Sequence, residues 1–190
     1  EGTLWLGGYG GFKSLDTETM RFRHYAYDPE NPIFRRAGQI MCIIADREGI
    51  LWLGTLGAGL IRFNPETGQF TPLIQDRRNP GSPGWPDVIL SISEGSDGSL
   101  WLSTFNGLYR YMRGKGEDSD TMIHYRYLED DQNSLSCNVV RMSVEDNKGN
   151  LWIATEGGGL NKLNIKTGEF TVYNRDHGLA DNNIMGILID

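Results

Sequence analysis

Few side chains in this sequence could do covalent or acid–base chemistry. Three histidines (His24, His124, His177) and two cysteines (Cys42, Cys137) are the groups that ionise or bind soft metals most readily near neutral pH, and no two histidines stand at metal-ligand spacing. Neither a Ser-His-Asp set, a phosphate-cradling glycine loop nor an activated-cysteine context is present. No cofactor, metal site or catalytic residue is expected. Recognition chemistry is better supplied. Arginines at Arg35, Arg36, Arg77, Arg78 and Arg175 suit carboxylates or other anions, while Tyr9, Trp85 and Phe105 offer flat rings. Asn106, Glu156 and His177 can bond hydroxyls, and Arg141 interrupts the apolar run Val139-Val140-Arg141-Met142.

The elements that position these residues follow from a repeat. Leu4-Trp5-Leu6-Gly7, Leu51-Trp52-Leu53-Gly54, Leu100-Trp101-Leu102-Ser103 and Leu151-Trp152-Ile153-Ala154 are four copies of one phrase, 47, 49 and 51 residues apart. Before the Trp runs an apolar strand and a tight turn, as in Ile43 to Gly49 or Val144 to Gly149. After it comes a small-residue loop and a second strand (Gly57-Ala58-Gly59-Leu60, Gly157-Gly158-Gly159-Leu160), then a Thr-Gly turn and a third strand at Phe70 or Phe170. Asp and Gly suit these turns because Asp bonds its own backbone and Gly accepts positive φ. No 3.6-residue apolar period persists long enough for a helix, so the chain reads as all-β.

Composition agrees. The 190 residues include 25 Gly and carry a net charge of −7, and an acidic chain makes a nucleic-acid partner improbable because phosphate binding draws on clustered Lys and Arg. No apolar run approaches the roughly 18 residues of a spanning helix, and the first residues lack the basic start of a signal peptide, so membrane contact by this segment is not expected.

Four-stranded units of this period, apolar on both faces, are what β-propeller blades require. The repeats run approximately 1–38, 39–87, 88–138 and 139–181 within one propeller segment, with 182–190 the first strand of a further blade or the closing strand of the first. A partial larger propeller, a closed four-blade ring and a ring completed by another copy are all compatible with this register. Trp5, Trp52, Trp101 and Trp152 are expected in the core, and Asp46 and Asp146 in turns. His24 and His124 fall at matching positions and read as repeat structure; Cys42 and Cys137 do not match, so no disulfide is expected.

The phrase Asp-x-x-Gly-x-Leu-Trp-Leu-Gly-Thr, then Gly-x-Gly-Leu, then Thr-Gly-x-Phe, resembles the two-component regulator propeller repeat, most closely over Asp46 to Asn64 and Asp146 to Asn164. The resemblance implies a portion of the periplasmic sensor region of a bacterial hybrid histidine kinase, where seven-bladed propellers recognise glycan-derived ligands and signal by dimerisation. The same turn faintly resembles the Asp-box of sialidases, and the repeat that of streptogramin lyases. Glycoside hydrolysis needs two placed carboxylates that the repeated turn Asp residues cannot supply.

In such a meander the loops between blades share one end with those between second and third strands. That end collects the candidate ligand contacts Tyr9, Arg35, Arg36, Arg77, Arg78, Trp85, Phe105, Asn106, Glu156, Arg175 and His177; Arg141 is a further candidate, for a ligand in the central channel or for a structural pair. The expectation is a non-catalytic carbohydrate sensor partnered by the rest of its receptor or by a second copy. A purely structural, oligomerising propeller and a propeller glycosidase or lyase are the alternatives.

Overall fold

A computed structural model of the chain describes residues 2–9, 11–25, 39–73, 86–114 and 119–190. Fifteen strands among them form four antiparallel sheets. Sheet I holds β1 (Thr3–Gly8), β2 (Gly11–Asp16) and β3 (Arg21–Tyr25). Sheet II is β4 (Ile40–Ala45), β5 (Leu51–Thr55), β6 (Leu60–Asn64) and β7 (Gln69–Leu73). Sheet III is β8 (Ser91–Glu94), β9 (Leu100–Thr104), β10 (Gly107–Met112) and β11 (Thr121–Tyr125). Sheet IV is β12 (Val140–Glu145), β13 (Asn150–Thr155), β14 (Leu160–Asn164) and β15 (Phe170–Tyr173). Each sheet keeps its strands in chain order, the up-and-down meander that the repeat predicts.

The first sheet holds three strands among the described residues, and beyond Ile184 the backbone forms no strand, with Leu188 92% exposed.

The chain divides into two compact units, Glu1–Ile89 and Leu90–Asp190. In the first, Trp5, Phe12 and Tyr25 of sheet I pack on Leu51, Leu53, Ile61 and Phe63 of sheet II, with Phe12 and Phe63 edge to face at 4.9 Å. In the second, Trp101 and Leu108 of sheet III pack on Leu151, Ile153 and Leu163 of sheet IV. A sheet buried on both sides can afford apolar residues at successive positions, which is why Leu51-Trp52-Leu53 is wholly buried.

The repeat Trp brings a polar N–H into that interior, and the turn Asp satisfies it. Asp46 accepts from the Glu48 and Ile50 amides at 2.9 and 3.0 Å through one oxygen and from Trp52 Nε1 at 2.8 Å through the other. Asp146 repeats this with Lys148, Asn150 and Trp152, the indole bond measuring 2.9 Å. Partial burial pushes the Asp146 carboxyl upward, but the Asn150 side chain and amide, the Trp152 indole and the Lys148 amide outweigh it, holding the group well below the usual carboxylate range. In sheet III Gly95 stands six residues before the Trp, where the others have Asp, and Trp101 Nε1 is buried without a partner. The Asp97 that follows instead receives Arg110 at 2.7 Å, and the guanidinium lies over the Trp101 ring.

Glycine is obligatory in the second-to-third strand loops. Gly107 and Gly159 take positive φ (99° and 78°), and a Cβ at either would run into the carbonyl of Tyr125 or Tyr173. Met20 occupies the left-handed position (φ 54°) that Gly68 and Gly168 fill in the matching turns.

Trp52→Phe and Trp101→Phe remove the same ring from equally buried sites, but only the first strands a carboxylate. Urea denaturation is expected to show Trp52→Phe costing about 1–2 kcal/mol more. Met20→Gly relieves a strained turn and is expected to raise stability by roughly 0.5–1 kcal/mol in the same assay.

Candidate functional site

The loop ends of sheets II, III and IV are tied down by a recurring set of bonds. The second strand closes on a threonine, and Thr55, Thr104 and Thr155 donate their hydroxyls to the carbonyls of Gly59, Gly107 and Gly159 at 2.9, 2.7 and 2.7 Å. Loop glycine amides then grip the segment that follows the sheet. Gly57 and Gly59 donate to the Asp87 carbonyl, Gly107 to that of Asn138, and Gly157 and Gly159 to that of Asn182. These bonds bring the two loop families to the same end of each sheet, as the meander implies.

In the second unit this framework gathers three of the candidate residues. Phe105, in the loop between β9 and β10, is about half exposed. Arg141 sits at a β-bulge, where the register of β12 on β13 skips from Val140 to Met142. The bulge re-aims its side chain. Its guanidinium carbon lies 5.7 Å from the centre of the Phe105 ring, and Nη2 pairs with the Glu156 carboxylate. Arg141 thereby has a partner from the β13–β14 loop. Its Nε is buried without a partner, and the Cys137 thiol donates to the Glu156 carbonyl at 3.1 Å. The result is a cation held between an exposed ring and a carboxylate with lone pairs to spare.

The remaining candidates fare differently. Tyr9 is 85% exposed in the tight turn after β1. The Asn106 carbonyl lies 2.6 Å from His124 Nε2, and that imidazole stacks on Tyr109 at 3.9 Å, so these residues brace sheet III. Burial depresses the His124 pKa, the Asn106 bond partly offsets this, and the Arg126 charge adds to it. Arg175 and His177 form one 3-10 turn, in which His177 Nδ1 lies 2.8 Å from the Asn174 side chain that caps it, while the Arg175 amide donates to the Asn182 side chain. Arg35, Arg36, Arg77, Arg78 and Trp85 lie outside the described residues. Trp52 and Trp101 are fully buried and Trp5 and Trp152 partly so. Among the described residues no three His, Cys, Asp or Glu side chains group as a metal would require, and no helix is long and apolar enough to cross a membrane.

Repeated antiparallel sheets of this design, packed face to face, with a Trp at the matching place in each, are the blades of a β-propeller. The family model described as the two component regulator propeller matches residues 36–57 and 134–157, and the chain carries repeats of that kind. Histidine kinase P4 of Formosa agariphila is 30% identical over 181 residues, which are 94% of this chain and 12% of that protein. Among solved structures, the extracellular domain of a hybrid two component system from B. thetaiotaomicron superposes with a TM-score of 0.68 at 24% identity, over 89% of this chain and 21% of its own. PorZ, a surface component of the type-IX secretion system of Porphyromonas gingivalis, gives 0.73 at 17% identity, over 97% and 28%. The chain therefore spans about an eighth of the kinase and less than a third of either structure.

Because the Arg141–Glu156 pair is partly open to water, Glu156→Gln is expected to cost less than about 1 kcal/mol at low salt, with the difference shrinking at high salt. Urea midpoints at two ionic strengths measure it.

Proposed function

We propose that this segment is a non-catalytic, ligand-sensing part of a bacterial two-component receptor, lying outside the inner membrane in the periplasm and recognising a carbohydrate at the loop end of its blades. The observation that carries the reading is the Phe105–Arg141–Glu156 group, a ring face that can stack on sugar CH groups beside charged atoms that can bond hydroxyls. A kinase relative and an extracellular structural neighbour support the signalling role and the compartment. Catalysis is disfavoured chemically: the group offers one carboxylate already paired to a guanidinium, where glycoside hydrolysis takes two with opposed duties. Occupancy would be passed on through the remaining blades of the receptor or a second copy of it.

Calorimetric titration with a panel of neutral and acidic oligosaccharides, on the wild type and on Phe105→Ala, tests this. Heat of binding with at least one glycan is expected, with affinity about tenfold or more weaker in the variant. Absence of heat across the panel, or full affinity in Phe105→Ala, defeats the assignment of this end as a carbohydrate site.

A further inference from the structure

Sheet I departs from the other three at one position, and a cleft lies beside it. In sheets II, III and IV the residue paired across the strands from the repeat Trp is a long cation: Arg62 opposite Trp52, Arg110 opposite Trp101 and Lys162 opposite Trp152. Two of these lie over the indole, Arg110 at 4.9 Å and Lys162 at 5.9 Å. Opposite Trp5 stands Ser14. The sharpest comparison is with Trp101. Both rings lie on a face covered by the following sheet, yet Trp101 is fully buried beneath Arg110 while Trp5 is only partly buried.

Beside the position that a cation takes in the other sheets lies an open cleft of about 540 Å³, within the range of small-molecule sites. Trp5 and Tyr25 give it aromatic walls, Thr3 supplies a hydroxyl, the Ser14 hydroxyl lies 3.4 Å from that of Tyr25, and Pro65 of the β6–β7 turn closes one side. Strand alternation aims Arg21 and Arg23 into it, since both lie on the Trp5 face of β3, with Arg23 paired to Ser14. Neither guanidinium has a carboxylate within ion-pair distance among the described residues; Arg23 lies over Tyr25 at 5.0 Å. Asp16 also lines the cavity, but one of its oxygens is engaged by the Glu18 and Thr19 amides at 2.9 and 2.8 Å. Two cations against one carboxylate leave the cavity positive in an acidic chain.

We infer that this cavity is a binding site for an acidic sugar, whose ring stacks on Trp5 in the place of the missing cation and whose carboxylate or sulfate is held by Arg21 and Arg23. A planar indole favours the CH face of a pyranose, hydroxyls on the walls match its hydroxyls, and paired guanidiniums match a two- or three-oxygen anion. The cavity lies at the opposite end of its sheet from the second-to-third strand loops, so the inference does not rest on the loop-end group of the second unit.

The test is titration of the chain with a glucuronate-containing disaccharide and with galactose 4-sulfate, following the Trp5 indole N–H resonance, assigned with Trp5→Phe, and the heat of binding. Maltose and inorganic sulfate serve as controls. Either acidic sugar is expected to shift the Trp5 signal, with binding weakened about tenfold or more by Arg21→Gln/Arg23→Gln and by added salt. Ser14→Arg installs the residue that sheet III uses at this position, so it should fold, cover the Trp5 ring and weaken binding about tenfold or more, while Phe105→Ala should leave it intact. A circular dichroism spectrum and urea midpoint like the wild type's confirm that Ser14→Arg is folded. The inference is overturned if neither acidic sugar moves the Trp5 signal, if maltose or sulfate alone binds as well, or if affinity survives both the double substitution and Ser14→Arg.

Discussion

The architecture rests on putting a large amphipathic ring inside a sheet that is apolar on both sides. Burying Trp52 wholly contributes more apolar area than any other single side chain could, but its indole N–H would cost free energy if left unpaired. The carboxylate of Asp46 removes that cost while also capturing the two amides of the turn before the strand. One residue thus fixes the turn, the rotamer of the Trp and the register of the first two strands. Sheet III, with Gly95 at the Asp position, shows the alternative: the indole N–H goes unpaired, and the ring is held from its face by Arg110, itself anchored on Asp97.

The opposite end of the sheet is governed by backbone rather than side chains. Glycine amides bind the carbonyl of the segment entering the next strand, and a threonine hydroxyl braces the loop. Because these contacts depend on positive φ and on the absence of Cβ at the glycines, side-chain variety falls on the residue after the threonine, such as Phe105 and Glu156. Structural duty and recognition are therefore separated along the same few residues, which is how one repeat can carry different surfaces on different blades.

Much of this was legible beforehand. Spacing of the Trp phrases gave four repeats, turn chemistry gave the hairpins, and the absence of helical periodicity gave the class. The convergence of Phe105, Arg141 and Glu156 on one group was only half legible: all three stood out by type, but the pairing depends on a bulge at Arg141 that no residue pattern announced. Asn106 and His177 stood out by type as well, and what the fold adds is the structural bonds each also makes, the Asn106 backbone carbonyl to His124 and His177 Nδ1 to Asn174. The Ser14 cavity left a signal in the sequence, since aligning the repeats puts Ser against Arg62, Arg110 and Lys162, but its meaning required knowing that those cations lie opposite the Trp.

By itself the sequence determined the sheets, their order and the residues at their centres, because hydrophobic alternation and turn preferences act over a few residues and repeat four times. Which polar groups are left available to a ligand was decided only by the tertiary structure. Availability depends on whether a side chain's partners lie within about 3 Å across strands and loops many residues apart, so that Arg110 ends latched to Asp97 while Arg21 and Arg23 have no carboxylate partner beside Trp5.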